Sequence, residues 1–313
     1  MEPRGTELVN LYKRNYNIPA DVEVTEAMIL QHWNLEKKLT KELWESTPEN
    51  RWEVFEQAYT LLYSEIEWLN KLPGDTRSPS ERYQTWVATI GSKPKKIYEI
   101  GSGKGEMISY LSQCEFECKG TEVTRERGEK HIKESSSYLS WGNTDGVNLE
   151  QFEPANYYDV VLSNQVIEHF HPDDLQTHFQ SAYSILNENG RYIFSTPHCH
   201  TGPHDVSFVF KYDDSKGMHL KEYTYHELIE PLTLAGFKSV SCAVPFAINK
   251  LLVKLGIKKP EQLTKIGIFY FNFMLIVERI LFLIPSKKVR RPLARFLRKL
   301  YIFADNIFLI AQK

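Results

Sequence analysis

Apolar residues recur at spacings of three and four early in the chain. Trp52, Phe55, Tyr59, Leu62, Ile66 and Leu69 define one face of a helix. Thr47 and Pro48 place a capping hydroxyl before a proline at the first helical position. An earlier helix carries Met28, Trp33, Leu39 and Leu43, Pro73-Gly74 ends the pair, and Pro79 falls in a polar linker. From residue 93 the pattern changes to short apolar runs at 97–100, 118–123, 158–162, 192–195 and 240–245. Helix-like stretches at 106–113, 125–134, 173–186 and 225–235 separate them. That alternation predicts an α/β fold with a mostly parallel sheet. Ligands of such sheets bind beyond the carboxyl ends of the strands. Beyond residue 246 a helix at 261–284 is apolar nearly all round, Pro285 breaks it, a helix at 291–301 is basic on one side, and 306–311 reads as a final strand. The expected organisation is a helical cap (1–85), a core (86–246), a hydrophobic and basic helical insert (247–304) and a last core strand (305–313).

Composition narrows the class. The 313 residues are 42% hydrophobic and 25% charged, with a net charge of −2. Those values exclude a collagen-like, disulfide-scaffold or wholly disordered chain. Four cysteines, Cys114, Cys118, Cys199 and Cys242, are too few and too scattered for a zinc site, and read as reduced thiols. The first ten residues lack a basic region and an apolar run, so no signal peptide is expected. The expected location is the cytoplasm, with peripheral membrane contact as a variant.

The sharpest local signal is the run from Ile97 to Glu106, a buried strand leading into Gly101, Gly103 and Gly105 and then a helix. Glycines allow close approach of a ligand to the main chain. A dinucleotide fingerprint needs G-x-G-x-x-G. Here the third glycine's place is taken by Glu106, whose carboxylate repels pyrophosphate. A Walker loop's Gly-Lys-[Ser/Thr] after four spacer residues is absent too, so the loop suits a ligand without a phosphate chain. Glu122 ends the next strand, where an acid can accept hydrogen bonds from both ribose hydroxyls.

These residues resemble the class I S-adenosylmethionine-dependent methyltransferases, and within them the small-molecule group that includes the ubiquinone-biosynthesis O-methyltransferases. The resemblance rests on Glu99-Ile-Gly-Ser-Gly-Lys-Gly105, Gly120-Thr-Glu122, the strand 158–164, Ile167-Glu-His169 and the stretch 186–197. The stretches 219–224 and 234–237 also fit. It implies a Rossmann-like, seven-stranded, mostly parallel sheet with an antiparallel last strand, and S-adenosyl-L-methionine as cofactor. It implies that Gly101, Ser102, Gly103 and Gly105 pass under the methionine part. Glu99 would hold the amino end and Glu122 the ribose, with Thr144 and Asn164 also on the cofactor. Asn143 or Asp145 would meet the adenine, and Trp141 reads as a core residue.

Methyl transfer requires acceptor, methyl and sulfur in line. A hydroxyl acceptor must also lose a proton, which favours a histidine base. His169, after the fourth strand, is the first candidate, with His198 and His200 as further catalytic candidates. His204, Asp205 and Tyr223 are expected at the acceptor, and a His204–Asp205 pair could orient a base. Glu222 reads as a partner of the helix dipole or a neighbour of the acceptor. The ubiquinone-type relatives carry a Glu-x-x-Glu-His metal motif. Here its first carboxylate is Gln165, a poor ligand for a hard cation, so no metal is expected. Glu168 and His169 with His198 or His200 are the groups left to hold one. The motif set itself says little about the acceptor, but together with His169 and the apolar insert it leads to the expectation of an apolar or lipid-like small molecule methylated on a hydroxyl oxygen. Nitrogen, carboxylate or macromolecular acceptors and a non-catalytic binding module are the alternatives. The Asn164-Gln-Val-Ile stretch lacks the prolines of enzymes that methylate base or amide nitrogens, and no nucleic-acid partner is expected.

Residues 266–284 approach the length of a membrane span, but Glu278 and Arg279 interrupt them. A lid over an apolar acceptor site is the leading expectation, ahead of an interfacial membrane contact and a homodimer interface. Divided by region, the charge is polarised. Residues 247–313 hold 14 Lys+Arg against 3 Asp+Glu, a net of +11, which leaves −13 for the rest. Between 286 and 304 there are seven basic residues and no acid, a pattern suited to an anionic lipid surface.

Overall fold

The computed structural model describes residues 2–70, 77–92, 95–125, 127, 137–243, 260–300 and 302–313. The chain begins with helices α1 (Gly5–Asn15), α2 (Glu26–Glu45), α3 (Arg51–Glu65), α4 (Glu67–Asn70), α5 (Pro79–Arg82) and α6 (Gln84–Ile90). The core follows as β1 (Lys96–Ile100), α7 (Glu106–Gln113), β2 (Glu117–Glu122), β3 (Leu139–Asn143), β4 (Tyr158–Asn164), α8 (Leu175–Ile185), β5 (Leu186–Pro197), α9 (Tyr225–Leu234) and β6 (Ser239–Cys242). Helices α10 (Pro260–Phe282) and α11 (Lys287–Lys299) precede β7 (Asn306–Gln312). The Pro73-Gly74 turn, nearly all of the helix expected at 125–134 and the 244–245 end of the sixth apolar run lie outside the described residues.

The strands form one sheet in the order β3-β2-β1-β4-β5-β7-β6, and β7 runs antiparallel to both its neighbours. This is the Rossmann-like architecture that the strand-helix alternation and the resemblance imply. Successive strand residues point to opposite faces. Tyr98, Val161, Tyr192 and Phe194 therefore join one core with α8 and α9, while Ile97, Val160, Leu162 and Ile193 join another with α6 and α7. β3 escapes the apolar-run criterion because its sequence, Leu-Ser-Trp-Gly-Asn, is half polar. α3 starts at Arg51 rather than Pro48. The Thr47 N–H donates to Asn50 Oδ1 at 2.8 Å, which turns Pro48 and Glu49 into a tight loop before the helix.

The cap is tied to the core by buried polar contacts. Arg51 pairs with Asp174 at 2.5 Å, and the Thr40 hydroxyl donates to the Gly217 carbonyl at 2.6 Å. Glu36 bridges His32 at 2.6 Å and the Met218 N–H at 3.2 Å.

The insert packs elsewhere. Phe271, Met274, Val277 and Leu281 of α10 join the α8–α9 core beside Ile307 and Leu309 of β7. Where a lid over the acceptor is expected from the insert, no described residue of α10 or α11 lines the main cavity, and α2 and α3 stand over it. Glu278, the acid inside the apolar helix, explains the placement. It is fully buried and accepts from His198 Nε2 at 2.7 Å and from the Tyr225 and His226 N–H groups at 2.8 and 3.0 Å. It also pairs with His226 Nδ1. The carboxylate thereby satisfies free N–H groups at the start of α9. Burial pushes its pKa up, but the bonds from His198 and His226 outweigh this and hold it below the ordinary carboxylate value. No helix among the described residues is long and apolar enough to cross a membrane.

Replacing Glu278 by Ala leaves several buried donors unpaired and is expected to cost about 3 kcal/mol. Urea unfolding of wild type and variant at neutral pH measures this. A lowered carboxyl pKa contributes stability above the unfolded value and loses it as pH falls through the folded one. The gap between the two proteins should therefore narrow in acid.

Candidate active site

A cavity of about 480 Å³ opens at the carboxyl ends of β1, β2 and β4, under α2 and α3. Its floor is the loop after β1. Gly101 sits at φ +65°, and a Cβ there would lie 2.6 Å from Val166 Cγ2, so only glycine fits. The Gly103 N–H donates to Glu122 Oε1 at the end of β2. Ser102 stitches the loop down: its N–H donates to the Thr121 carbonyl at 2.9 Å, and its hydroxyl accepts from the Thr121 N–H at 3.2 Å. Gly105 closes the turn, with its N–H on the Ser102 carbonyl at 2.8 Å, and caps α7.

Two carboxylates face this floor. Glu99 is buried, its Oε2 has no hydrogen-bond partner among the described residues, and burial raises its pKa to about 8. Burial likewise lifts Glu122 to about 7. Thr144, Asp145 and Asn164 complete the floor. Asp145 accepts from the Val147 and Asn148 N–H groups at 2.8 and 2.9 Å, which shapes the loop after β3. Asn143 does not line the cavity. Its amide donates to the Glu122 and Val123 carbonyls, both at 2.8 Å, and clamps the ends of β2 and β3 together. Trp141 packs in the α6–α7 core against Gly120.

His169 lines the cavity wall and is the one sequence-predicted catalytic histidine to do so. Its Nδ1 lies 2.9 Å from the Met218 carbonyl, which requires the proton on Nδ1 and leaves Nε2 as an acceptor. Burial, with the adjacent His219 cation, lowers its pKa to about 3, so the ring is neutral. Glu168 Oε1 is 3.9 Å from Nε2 and has no hydrogen-bond partner among the described residues, and burial raises the Glu168 pKa to about 7.

The other expected residues sit behind the wall. His198 is taken by Glu278, and His200 packs edge-on against Phe282 at 4.9 Å between ring centres. Both are drawn to the insert, away from the cavity. His204 pairs with Glu222 at 3.2 Å rather than with Asp205. Asp205 instead accepts from the Ser207 and Gly217 N–H groups at 3.0 and 2.9 Å. Tyr223 is a buried core residue. Glu222 is not a helix-dipole partner but a hub that also holds His219 at 3.0 Å and Ser215 at 3.1 Å.

Several cavity residues carry no motif. Glu36, Tyr59 and Tyr63 come from the cap, and Met218 from the loop before α9. The Tyr59 hydroxyl is buried without a hydrogen-bond partner among the described residues. Arg127 stacks over the Tyr63 ring at 4.0 Å, and burial lowers its pKa to about 10.

Two histidine clusters have ligand-like spacing among the described residues. One is Glu168, His169 and His219, the other His198, Cys199 and His200. Beside Glu168 and His169 the third group is thus His219, not His200. Although burial opposes it, the Glu222 bond raises the His219 pKa to about 9, so the ring is protonated and presents charge where a cation would sit. Both nitrogens of His198 are already engaged, by the His200 N–H and by Glu278. Neither cluster suits a metal ion. All four cysteines are free thiols.

The raised pKa of His219 gives stability that is complete below the unfolded value of 6.5 and lost as pH rises through about 9. Replacing His219 by Gln should therefore destabilise most near pH 6, by at least about 1 kcal/mol, and little above pH 9.5. Paired urea titrations across that range measure the difference.

A family model described as a methyltransferase domain matches residues 76–242, more than half of the chain. No curated protein matches the sequence. A solved S-adenosylmethionine-dependent methyltransferase from Archaeoglobus fulgidus is similar at 18% identity, covering 82% of this chain and 99% of that one, with a TM-score of 0.48. One from Mesorhizobium loti is 13% identical, covering 75% and 98%, with a TM-score of 0.44. Phosphoethanolamine N-methyltransferase 2 of Haemonchus contortus, in complex with S-adenosyl-L-methionine, is 17% identical, covering 74% and 52%, with a TM-score of 0.46. With its glycine floor under two strand-end carboxylates and the family model spanning its core, the chain belongs to the methyltransferase-domain family and is a class I S-adenosylmethionine-dependent methyltransferase.

Proposed function

We propose that the protein methylates a hydroxyl oxygen of a small, partly apolar molecule seated between the glycine floor and the cap. The observation that carries this reading is the neutral His169, whose free Nε2 faces the cavity within 4 Å of a buried carboxylate. The cavity's donor set fits S-adenosylmethionine. The orphaned Glu99 Oε2 suits a cationic amino group, and the free side of Glu122 suits ribose hydroxyls. Thr144 and Asp145 would hold the adenine, and Asn164, which also lines the cavity, would lie on the cofactor. The bound cofactor supplies an electrophilic methyl on a sulfonium.

The chain's own residues supply placement and a proton path. Tyr59, Leu62 and Met218 hold an apolar ring or chain against the site. The Nε2 of His169 accepts the hydrogen bond of the acceptor hydroxyl and takes its proton as the oxygen gains the methyl. An oxygen that is gaining a methyl is far more acidic than a free hydroxyl, so a base of low pKa is adequate when the two events run together. The Glu168 carboxylate stabilises the imidazolium that forms.

Calorimetric titration should show S-adenosylmethionine binding, and Gly101→Val should abolish it. Affinity should fall at least about tenfold from pH 8.5 to pH 6, because the free Glu99 and Glu122 take up protons in that range. Glu99→Gln should flatten that profile. Tritium transfer from labelled cofactor to fractionated small-molecule, lipid, protein and RNA extracts identifies the acceptor class. Labelling confined to protein or RNA would overturn the small-molecule reading. On the acceptor so found, His169→Ala should slow turnover at least tenfold, with little change in cofactor affinity.

A further inference from the structure

The two insert helices present an apolar surface that the fold does not use. On α10 and the turn that ends it, Phe269, Phe273, Ile276, Ile280 and Leu283 follow one another at spacings of four and three and are all exposed, Phe269 and Leu283 by 74% and 79%. The opposite side of the same helix supplies Phe271, Met274 and Leu281 to the core. On α11, Val289, Phe296 and Leu300 form a second exposed stripe, each at least half accessible. Folded monomers seldom leave so many large apolar groups exposed along two neighbouring helices.

Charge decides what this surface fits. Of the seven basic residues between 286 and 304, four dock α11 onto the protein. Lys287 and Arg291 pair with Asp214, Arg298 pairs with Asp305, and Arg295 donates to the Thr201 and Gly202 carbonyls. Lys288, Arg290 and Lys299 have no carboxylate partner among the described residues. At 100° per residue, Lys288 and Lys299 fall on one flank of the Val289–Leu300 stripe and Arg290 on the other. Lys265 and Arg279, both exposed and without a carboxylate partner among the described residues, border the α10 stripe. An apolar face edged by cations that the protein leaves unneutralised matches the two layers of an anionic lipid surface: acyl chains below and headgroup charge around them. A second copy of the same face would bring like charges together.

We propose that α10 and α11 form a monotopic membrane contact, their apolar stripes lying in the interface of an anionic bilayer and Lys288, Arg290 and Lys299 meeting its headgroups. The contact is independent of the acceptor's identity, since no described residue of either helix lines the cavity.

Flotation of the full chain tests this with phosphatidylcholine vesicles alone and with about 30 mol% phosphatidylserine added. Binding is expected only to the anionic vesicles and should weaken with salt. Lys288→Glu with Lys299→Glu should reduce the bound fraction more than tenfold. Phe269→Ser with Leu283→Ser should do likewise, while unchanged S-adenosylmethionine affinity in both variants shows that the core is intact. Equal flotation on the two vesicle types would overturn the proposal, as would binding that both double variants retain. Sedimentation equilibrium without lipid covers the rival occupant. A dimer that Phe269→Ser with Leu283→Ser dissolves, combined with absent flotation, would assign the face to a second copy.

Discussion

Glu99 lies opposite Gly120 on β2 and Leu162 on β4, and this register decides where every polar group of the cavity ends. Because the three strands are parallel and stop within a residue or two of one another, Glu99, Glu122 and Asn164 arrive at one edge. The next residue after β1 must turn beneath Val166, which demands a left-handed glycine at 101. From that turn follow the bond between the Gly103 N–H and Glu122 and the stitching by Ser102. A one-residue slip of β1 would point Glu99 into the opposite core and dismantle the floor.

The cap and the floor are joined through a short segment. The Met218 carbonyl sets the tautomer of His169, while the Met218 N–H is held by Glu36 of α2. The next residue, His219, stands 4.8 Å from the His169 ring and is fixed by Glu222. The acid-base state of the candidate base is thus set by cap, loop and strand end together. The same carboxylate anchors His204, so the whole 199–222 excursion is organised around Glu222.

How much of this was legible depends on how local each cause is. The glycine turn, Glu99, Glu122 and the strand ends follow from spacing over a few residues, and they lie where the residue pattern places them. β3 was legible only through the resemblance, since its half-polar sequence shows no apolar run. The cavity's roof was not legible. Tyr59 read correctly as an apolar helix position, but nothing near it in sequence shows that it faces a strand end more than 100 residues later. Arg127 and Glu36 likewise belong to no motif. The histidines divide on the same ground. His169 is placed by the end of β4, a local feature, whereas His198 is claimed by Glu278, eighty residues downstream. A charged residue inside an otherwise apolar helix was the available signal. It read as an obstacle to spanning a membrane and is in fact the anchor of the insert.

The place of β7 has a consequence for the order of assembly. It lies between β5 and β6, yet it follows both in the chain, after the 243–305 excursion. Among the described strands β6 bonds to β7 alone, so while the chain is being made it has none of these to pair with until residues 306–312 have emerged. Until then β5 offers an open edge where an apolar strand belongs, and the apolar side of α10 has only part of its core to pack on. Nascent chains of this protein therefore hold a five-stranded sheet with an open β5 edge for the time it takes to synthesise the insert, which is the period when pairing with a foreign strand is easiest.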